Sequence, residues 1–102
     1  MTIFSEELPF EWDEAKAESN YRKHGITFAE ATAVFFDPAH YIERDWRHDY
    51  GEERFKVIGK SNQEILLAII CTDREGNIRL ISARRTRKDE KEKYHRQSQG
   101  IS

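Results

Sequence analysis

The sequence is poor in the residues that build disulfides and metal sites. It contains one cysteine, Cys71, so an intrachain disulfide is impossible and a cysteine-based zinc site is not encoded. The four histidines lie far apart in the chain, and none of them forms the i, i+4 pair of a helical metal site. A glycine-rich phosphate loop is also missing. We therefore predict that the protein uses no metal and no cofactor.

Long apolar runs are missing as well. The longest, Ile65 to Cys71, is far shorter than the ~20 residues that a membrane-spanning helix needs. The first residues also lack the basic segment and apolar stretch of a signal peptide. We therefore expect a cytoplasmic protein with no membrane partner.

Linker-like composition is equally scarce. The 102 residues include two prolines and five glycines, without a repeat or a low-complexity tract. This length suits one small core, and an aromatic content of 12% argues against disorder. We expect a single domain over 1–102, with an ordered core from about residue 9 to about residue 96.

Local signals predict two helices in the first third of the chain. After a short strand-like alternation over Phe10–Trp12, Asp13 is placed to cap a helix that ends before Gly25. The segment from Thr27 to Glu30 has the pattern of a capping box, and the second helix should end at Asp37 and Pro38.

The rest of the chain predicts a sheet and a final helix. The expected strands cover 41–44, 54–59, 65–71 and 78–84, with a turn over 46–51. Short connections favour antiparallel pairing. The residues from Thr86 to Asp89 could cap a last helix that reaches about Arg96. The predicted class is α+β: two N-terminal helices, a four-stranded, mainly antiparallel sheet, and one C-terminal helix.

Lys23, His24 and Gly25 form the first motif that could carry chemistry. Basic residues before a glycine are ordinary at a helix C-terminus, where the macrodipole favours cations, so the motif has a purely structural explanation. The functional alternative is that His24 acts as a general acid or base, because an imidazole titrates near neutral pH.

Arginines on the predicted strands form the second candidate. Alternation places Arg54 and Lys56 on one wet face, which is either the solvated face of an edge strand or a phosphate-binding surface. Without a bulge, Arg79 and Arg84 lie on opposite faces of the last strand. A buried arginine needs a carboxylate or an anion, and Glu53 is the candidate carboxylate.

If two or three of Arg54, Arg79 and Arg84 converge in one cleft, they could hold a phosphodiester and stabilise its transition state without a metal. The 2′-hydroxyl of RNA would be the nucleophile, and DNA lacks that group.

The C-terminal segment is rich in cations although the chain has a net charge of −2. Between Arg84 and Arg96 seven basic residues face three acidic ones. Arg87 and Lys88 in this segment, like Lys56 on the sheet, are candidate substrate-binding residues. The basic helix could follow RNA or dock a protein partner, and the sequence does not separate these alternatives.

An ordered set of short motifs resembles the BrnT family of ribonuclease toxins. The set covers roughly Pro9 to Tyr94 and consists of Phe10-Glu11-Trp12-Asp13, Lys16, Asn20, Lys23-His24-Gly25, Phe35-Phe36-Asp37-Pro38, Glu53-Arg54, Thr72-Asp73-Arg74 and Arg79-Leu80-Ile81-Ser82-Ala83-Arg84-Arg85, with Glu92 and Tyr94 in the tail. The chain departs from the family where Arg85-Thr86-Arg87-Lys88 replaces an apolar or alanine residue, which makes the last helix more basic than expected.

The resemblance implies the toxin of a type II toxin–antitoxin pair, with a RelE-like fold and metal-independent RNA cleavage. It implies a cognate BrnA-like antitoxin as partner, RNA as substrate, and DNA contact only through the antitoxin. Carried over by position, the catalytic residues are Lys23, His24, Arg54, Arg79 and Arg84, with Arg85 binding substrate and Glu53 in support. The opposing hypotheses are a non-catalytic module that binds RNA or protein, and a purely structural domain.

Overall fold

The computed structural model describes residues 10–45 and 52–101, which form one sheet with helices on both faces. The helices are α1 (Glu14–His24), α2 (Phe28–Ala31), a 3-10 helix (Thr32–Phe36) and α3 (Lys88–Ile101). The strands are β1 (Phe10–Glu11), β2 (Tyr41–Arg44), β3 (Phe55–Lys60), β4 (Leu66–Arg74) and β5 (Asn77–Arg85). The predicted α+β class is confirmed, while the predicted turn over 46–51 lies outside the described residues.

Both ends of α1 follow from its capping residues. The Asp13 carboxylate accepts hydrogen bonds from the backbone N–H groups of Ala15 (2.8 Å) and Lys16 (3.2 Å). At the other end Gly25 adopts a positive φ of 72°, and its N–H donates to the Tyr21 carbonyl. The predicted cap and stop are confirmed, and they place Lys23 and His24 in the last turn of the helix.

The second predicted helix is only partly α-helical. Thr27 and Glu30 form both hydrogen bonds of the capping box, but the α-helix ends at Ala31 and continues as a 3-10 helix to Phe36. The Thr32 hydroxyl donates to the Ala29 carbonyl (2.7 Å), a local bond that competes with regular helix geometry. Asp37 is already extended, since Pro38 follows it.

The sheet has five strands in the order β1-β5-β4-β3-β2, so the prediction of four strands is wrong. The additional strand is β1, which pairs in parallel with β5 through Phe10 opposite Ile78. The alternation at Phe10 was visible in the sequence, but its pairing with a strand at the far end of the chain was not. The other three pairs are antiparallel, as predicted.

A bulge in β5 decides which way its arginines point. Ile70 pairs with Ser82 but Cys71 pairs with Leu80, so Ile81 is an extra residue in the strand. Because one extra residue reverses the alternation, Leu80 and Ala83 both face the same core. Arg79 and Arg84 therefore share the opposite face, which corrects the expectation that they lie on different faces.

Alternate residues of the central strands pack on the two faces of the sheet. Val57 and Ile69 belong to the core under α1 and α2, whereas Ile58 and Ala68 pack against Tyr94 of α3. Every one of these five side chains is at most 4% exposed. The sheet is thus covered on both faces at its centre.

The last helix is longer than predicted and begins later. It starts at Lys88 and reaches Ile101, because Gln97 donates hydrogen bonds to the carbonyls of Ala39 (3.1 Å) and His40 (2.7 Å). The helix therefore extends beyond the predicted end near Arg96. Thr86 does not cap the helix, since its hydroxyl oxygen accepts no hydrogen bond from the first turn. No helix in the described residues is long and apolar enough to cross a membrane.

Candidate active site

A pocket of about 360 Å³ lies between α1 and the end of β5. One wall is formed by residues of α1. The other is formed by the last residues of β5 and by Arg87, which directly precedes α3. The described residues that line it are Lys16, Ser19, Asn20, Lys23, His24, Ile81, Ser82, Arg84 and Arg87.

Asn20 fixes α1 against β5 and so sets the geometry of the pocket. It is only 7% exposed, and its amide donates to the carbonyls of Ala83 (2.9 Å) and Ile26 (3.1 Å). Its carbonyl oxygen accepts the N–H of Ala83 (3.1 Å). Lys16 and Lys23 lie four residues before and three residues after Asn20, so all three share one face of the helix. The hydrogen bonds of Asn20 therefore hold both lysines towards the strand.

The pocket is strongly cationic. Its described lining contains two lysines, two arginines and one histidine, and no carboxylate is among these residues. This excess of positive charge stands out because the whole chain has a net charge of −2. A concave site lined by several cations and by no acidic residue suits an anionic ligand such as a phosphate group.

His24 is poised to accept a proton in this setting. Partial burial lowers the pKa of its imidazole below the ordinary value, and the positive charges of Lys23 and Arg84 lower it further. The neutral imidazole is therefore the dominant form near neutral pH. A neutral histidine beside fixed cations can act as a general base on a bound phosphate ester.

Arg84 lines the pocket and is held in place by a carboxylate outside the pocket lining. Its guanidinium makes two hydrogen bonds to Glu90, at 2.9 Å to Oε1 and 2.8 Å to Oε2. The partner predicted from the sequence was Glu53, and that prediction is wrong because Glu53 forms an ion pair with Arg44. Glu90 was overlooked because it belongs to a run of charged residues that resembles an exposed helix face.

Lys56 is buried, contrary to the expected wet cationic face. It is 8% exposed, and its ammonium group lies 2.8 Å from Glu90 and 3.7 Å from Glu43. A buried ammonium needs such partners because desolvation penalises its charge. Lys56 is therefore part of the ion-pair network under α3 rather than a free cation on the surface.

Arg79 and Arg54 do not line the pocket. Arg79 occupies the opposite end of β5, where its guanidinium lies 2.8 Å from the carboxylate of Glu11. Arg54 precedes β3, and its Nε lies 3.5 Å from Glu52. The structure thus does not bring the three strand arginines into one cleft.

Of the residues predicted for the site, the pocket brings together four: Lys23, His24, Arg84 and Arg87. It does not include Arg54, Lys56, Arg79, Arg85, Lys88 or Glu53. The structure adds Lys16 and Asn20, which helical spacing from Lys23 could have indicated. Within residues 10–45 and 52–101, no three His, Cys, Asp or Glu side chains form a group that could hold a metal ion.

Comparison with known proteins identifies a protein family and a solved structure that are similar to this chain. The sequence model of a family described as the ribonuclease toxin BrnT of type II toxin–antitoxin systems matches residues 12–90, which include the whole pocket. The crystal structure of the ribonuclease toxin BrnT from Brucella abortus matches with a TM-score of 0.61 and 24% sequence identity. This match covers 78% of the present chain and 96% of the Brucella chain, and it shows a common fold. Among curated proteins, no match is found.

Proposed function

Because the chain belongs to the BrnT family of ribonuclease toxins of type II toxin–antitoxin systems, we propose that it is a metal-independent RNA endonuclease whose active site is the pocket between α1 and β5. One observation supports this most strongly. The pocket places a histidine with a lowered pKa among four basic side chains, without a carboxylate in its described lining. These are the groups that transfer of a phosphodiester to a neighbouring hydroxyl requires.

In the proposed reaction, His24 removes the proton of an RNA 2′-hydroxyl. The 2′-oxygen attacks the adjacent phosphorus, a 2′,3′-cyclic phosphate forms, and the bond to the 5′-oxygen of the next nucleotide breaks. The leaving 5′-oxygen takes a proton from the ammonium group of Lys23, which lies beside His24 on the last turn of α1. DNA is not cleaved because it lacks the 2′-hydroxyl.

Arg84 and Arg87 are the proposed phosphate-binding groups. A guanidinium has five N–H donors, and Arg84 uses three of them on Glu90 and on the Arg85 carbonyl. The remaining donors can hold the non-bridging oxygens, where negative charge grows in the pentacoordinate transition state. The exposed residues Arg85 and Lys88 are assigned to the RNA strand outside the pocket. Arg54 and Arg79, which carboxylates hold elsewhere, are left outside the proposed catalytic set.

The family also implies an antitoxin partner. We assign this role to a BrnA-like protein that blocks the cationic pocket, so that operator DNA is contacted by the antitoxin and not by the free toxin. An acidic segment of such a partner would complement the pocket lining. Neutralisation would then need no change in the fold of the toxin.

The test is cleavage of a defined single-stranded RNA in excess EDTA. Wild type should produce fragments with 2′,3′-cyclic phosphate ends, and a substrate with 2′-deoxyribose at the cleaved position should stay intact there. His24→Gln should cleave ~100-fold more slowly or worse. Arg22→Gln, which removes an exposed charge from the same helix outside the pocket, should cleave like wild type. Binding without cleavage by folded wild type would instead indicate a non-catalytic RNA-binding module.

A further inference from the structure

Glu90 is the most deeply buried charged group described, and it joins α3 to the proposed active site. Its side chain is 1% exposed although it lies in the first turn of the helix. One carboxylate oxygen accepts from Arg84 and from the backbone N–H of Arg87, both within 2.9 Å. The other accepts from Arg84 and Lys56, each at 2.8 Å. Its partners thus include both arginines of the pocket.

This arrangement restricts Arg84 more than a surface ion pair would. A free arginine side chain samples many rotamers, and fixing it on a ligand costs conformational entropy. Two parallel hydrogen bonds to a buried carboxylate fix the plane of the guanidinium before any ligand arrives. Burial opposes ionisation of Glu90, but hydrogen bonds from Arg84 and Lys56 outweigh it and hold the pKa well below its usual range. The carboxylate therefore stays charged at neutral pH.

We propose that Glu90 is a positioning residue that pre-orients Arg84, and the chain at Arg87, for binding the phosphodiester in the pocket. The proposal rests on the proposed function, because it assigns those two arginines to phosphate binding. It adds that α3 supplies the group that organises them, although Glu90 itself does not line the pocket.

The competing explanation is that Glu90 only neutralises Lys56 and docks α3. Glu43 provides a matched control, because its carboxylate binds Lys93 of α3 at 3.0 Å and lies 3.7 Å from Lys56. It therefore also ties the helix to the sheet, but none of its described ion pairs involves a pocket residue. Glu43→Gln and Glu90→Gln should both lower the melting temperature, and only Glu90→Gln should impair the pocket.

The experiment measures RNA cleavage and the affinity for a non-cleavable 2′-deoxy analogue at a temperature where each variant is folded. We expect Glu90→Gln to lose about tenfold or more in kcat/KM and in affinity for the analogue, against less than about twofold for Glu43→Gln. The losses of Glu90→Gln and Arg84→Ala should be less than additive in the double variant, because both changes remove the contribution of a correctly positioned Arg84. Equal losses for the two glutamates, or additive losses in the double variant, would overturn the proposal.

Two further comparisons cover a Glu90 variant that does not fold and a wild type that does not cleave RNA. If Glu90→Gln does not fold, the double variant Glu90→Gln/Lys56→Met takes its place, because it removes both charges of the buried pair. The single variant Lys56→Met is then the control. If wild type binds the analogue but does not cleave RNA, the proposed catalysis fails while the affinities still decide the role of Glu90. If wild type neither binds nor cleaves, both proposals are wrong.

Discussion

Positive charge is concentrated in two regions of this molecule, and the regions differ in whether carboxylates lie beside the basic side chains. Under α3 and along the sheet, Lys56, Arg79 and Arg54 each lie within 3.5 Å of a carboxylate. In the pocket beside α1, the side chains of Lys16, Lys23 and Arg87 line a concave surface whose described residues include no acid. Arg84 lies between the two regions, since it lines the pocket and is bound by Glu90.

The difference separates structural cations from cations available to a ligand. A buried charged group needs a partner because its removal from water is costly. The ion pairs of the paired region are therefore explained by folding alone, without any substrate. Cations gathered without an acid repel one another, and that arrangement is unfavourable for folding unless an anion binds there. The number of arginines on the sheet therefore says little about the site, whereas the lack of acids in the described pocket lining says much more.

The largest expected effect is the loss of RNA cleavage when His24 is replaced, compared with replacement of a histidine outside the pocket. His24→Gln should reduce RNA cleavage by ~100-fold or more, since general base catalysis typically contributes that much. The free energy of unfolding of this variant should differ from that of wild type by less than about 1 kcal/mol, because the His24 side chain is half-exposed. The exposed His95 of α3 gives the matched control, and His95→Gln should cleave normally. Equal activity of the two variants would remove His24 from the mechanism.

The next effect concerns the phosphate-binding cations. Arg87→Gln, or Lys16→Gln, which removes another cation of the pocket lining, should raise the KM for RNA about tenfold, which corresponds to roughly 1.4 kcal/mol. Each should also reduce the slope of log affinity against log salt by about 0.7, the value for one phosphate contact on a single strand. Arg22→Gln, outside the pocket, should change neither quantity. A slope unchanged in the pocket variants would mean that RNA binds elsewhere.

A smaller effect should appear in the stability of the fold where α3 packs on the sheet through Tyr94. The Tyr94 hydroxyl donates to Asp37 at 2.7 Å, and Tyr94→Phe should lower the free energy of unfolding by roughly 1–2 kcal/mol without changing cleavage. Burial and the bond to Asp37 raise the pKa of Tyr94 to about 12. Its contribution is therefore complete below the ordinary value of ~10 and is lost as pH rises through about 12. Urea titrations at several alkaline pH values should show this loss in wild type and not in the variant.

The smallest expected effect is a shift in the pH profile. His24 must be neutral to act as a base, and burial, Lys23 and Arg84 lower its pKa. The acid limb of kcat/KM should therefore lie below pH ~6.5, the ordinary value for histidine. Lys23→Gln removes one of the lowering charges and should move that limb to higher pH. A limb that moves to lower pH would contradict this assignment.

Local signals in the sequence were sufficient for much of the fold. The caps at Asp13 and Gly25 act within one helical turn, so the pattern alone located α1 and its final Lys23 and His24. The bulge at Ile81 could not be predicted in the same way, because it depends on how two strands pair. That single extra residue determines that Arg79 and Arg84 share a face.

The partners of the charged residues were the least predictable part of the site. Glu53 looked suitable for a strand arginine because it adjoins Arg54, yet Glu90 binds Arg84 after the chain has turned from β5 into α3. Among 36 acidic and basic residues, 19 acids and 17 bases, many pairings are consistent with the composition. Only the three-dimensional arrangement of strand and helix selects one of them.

The most direct test of the account is NMR titration of the protein with a non-cleavable 2′-deoxy oligonucleotide. We predict that the largest chemical-shift changes occur at His24, Lys23 and Arg87, and that the guanidinium signal of Arg79, which is paired with Glu11, stays nearly unchanged. Changes centred on Arg79 and Arg54, with His24 unaffected, would contradict it and would move the binding site to the paired region of the sheet.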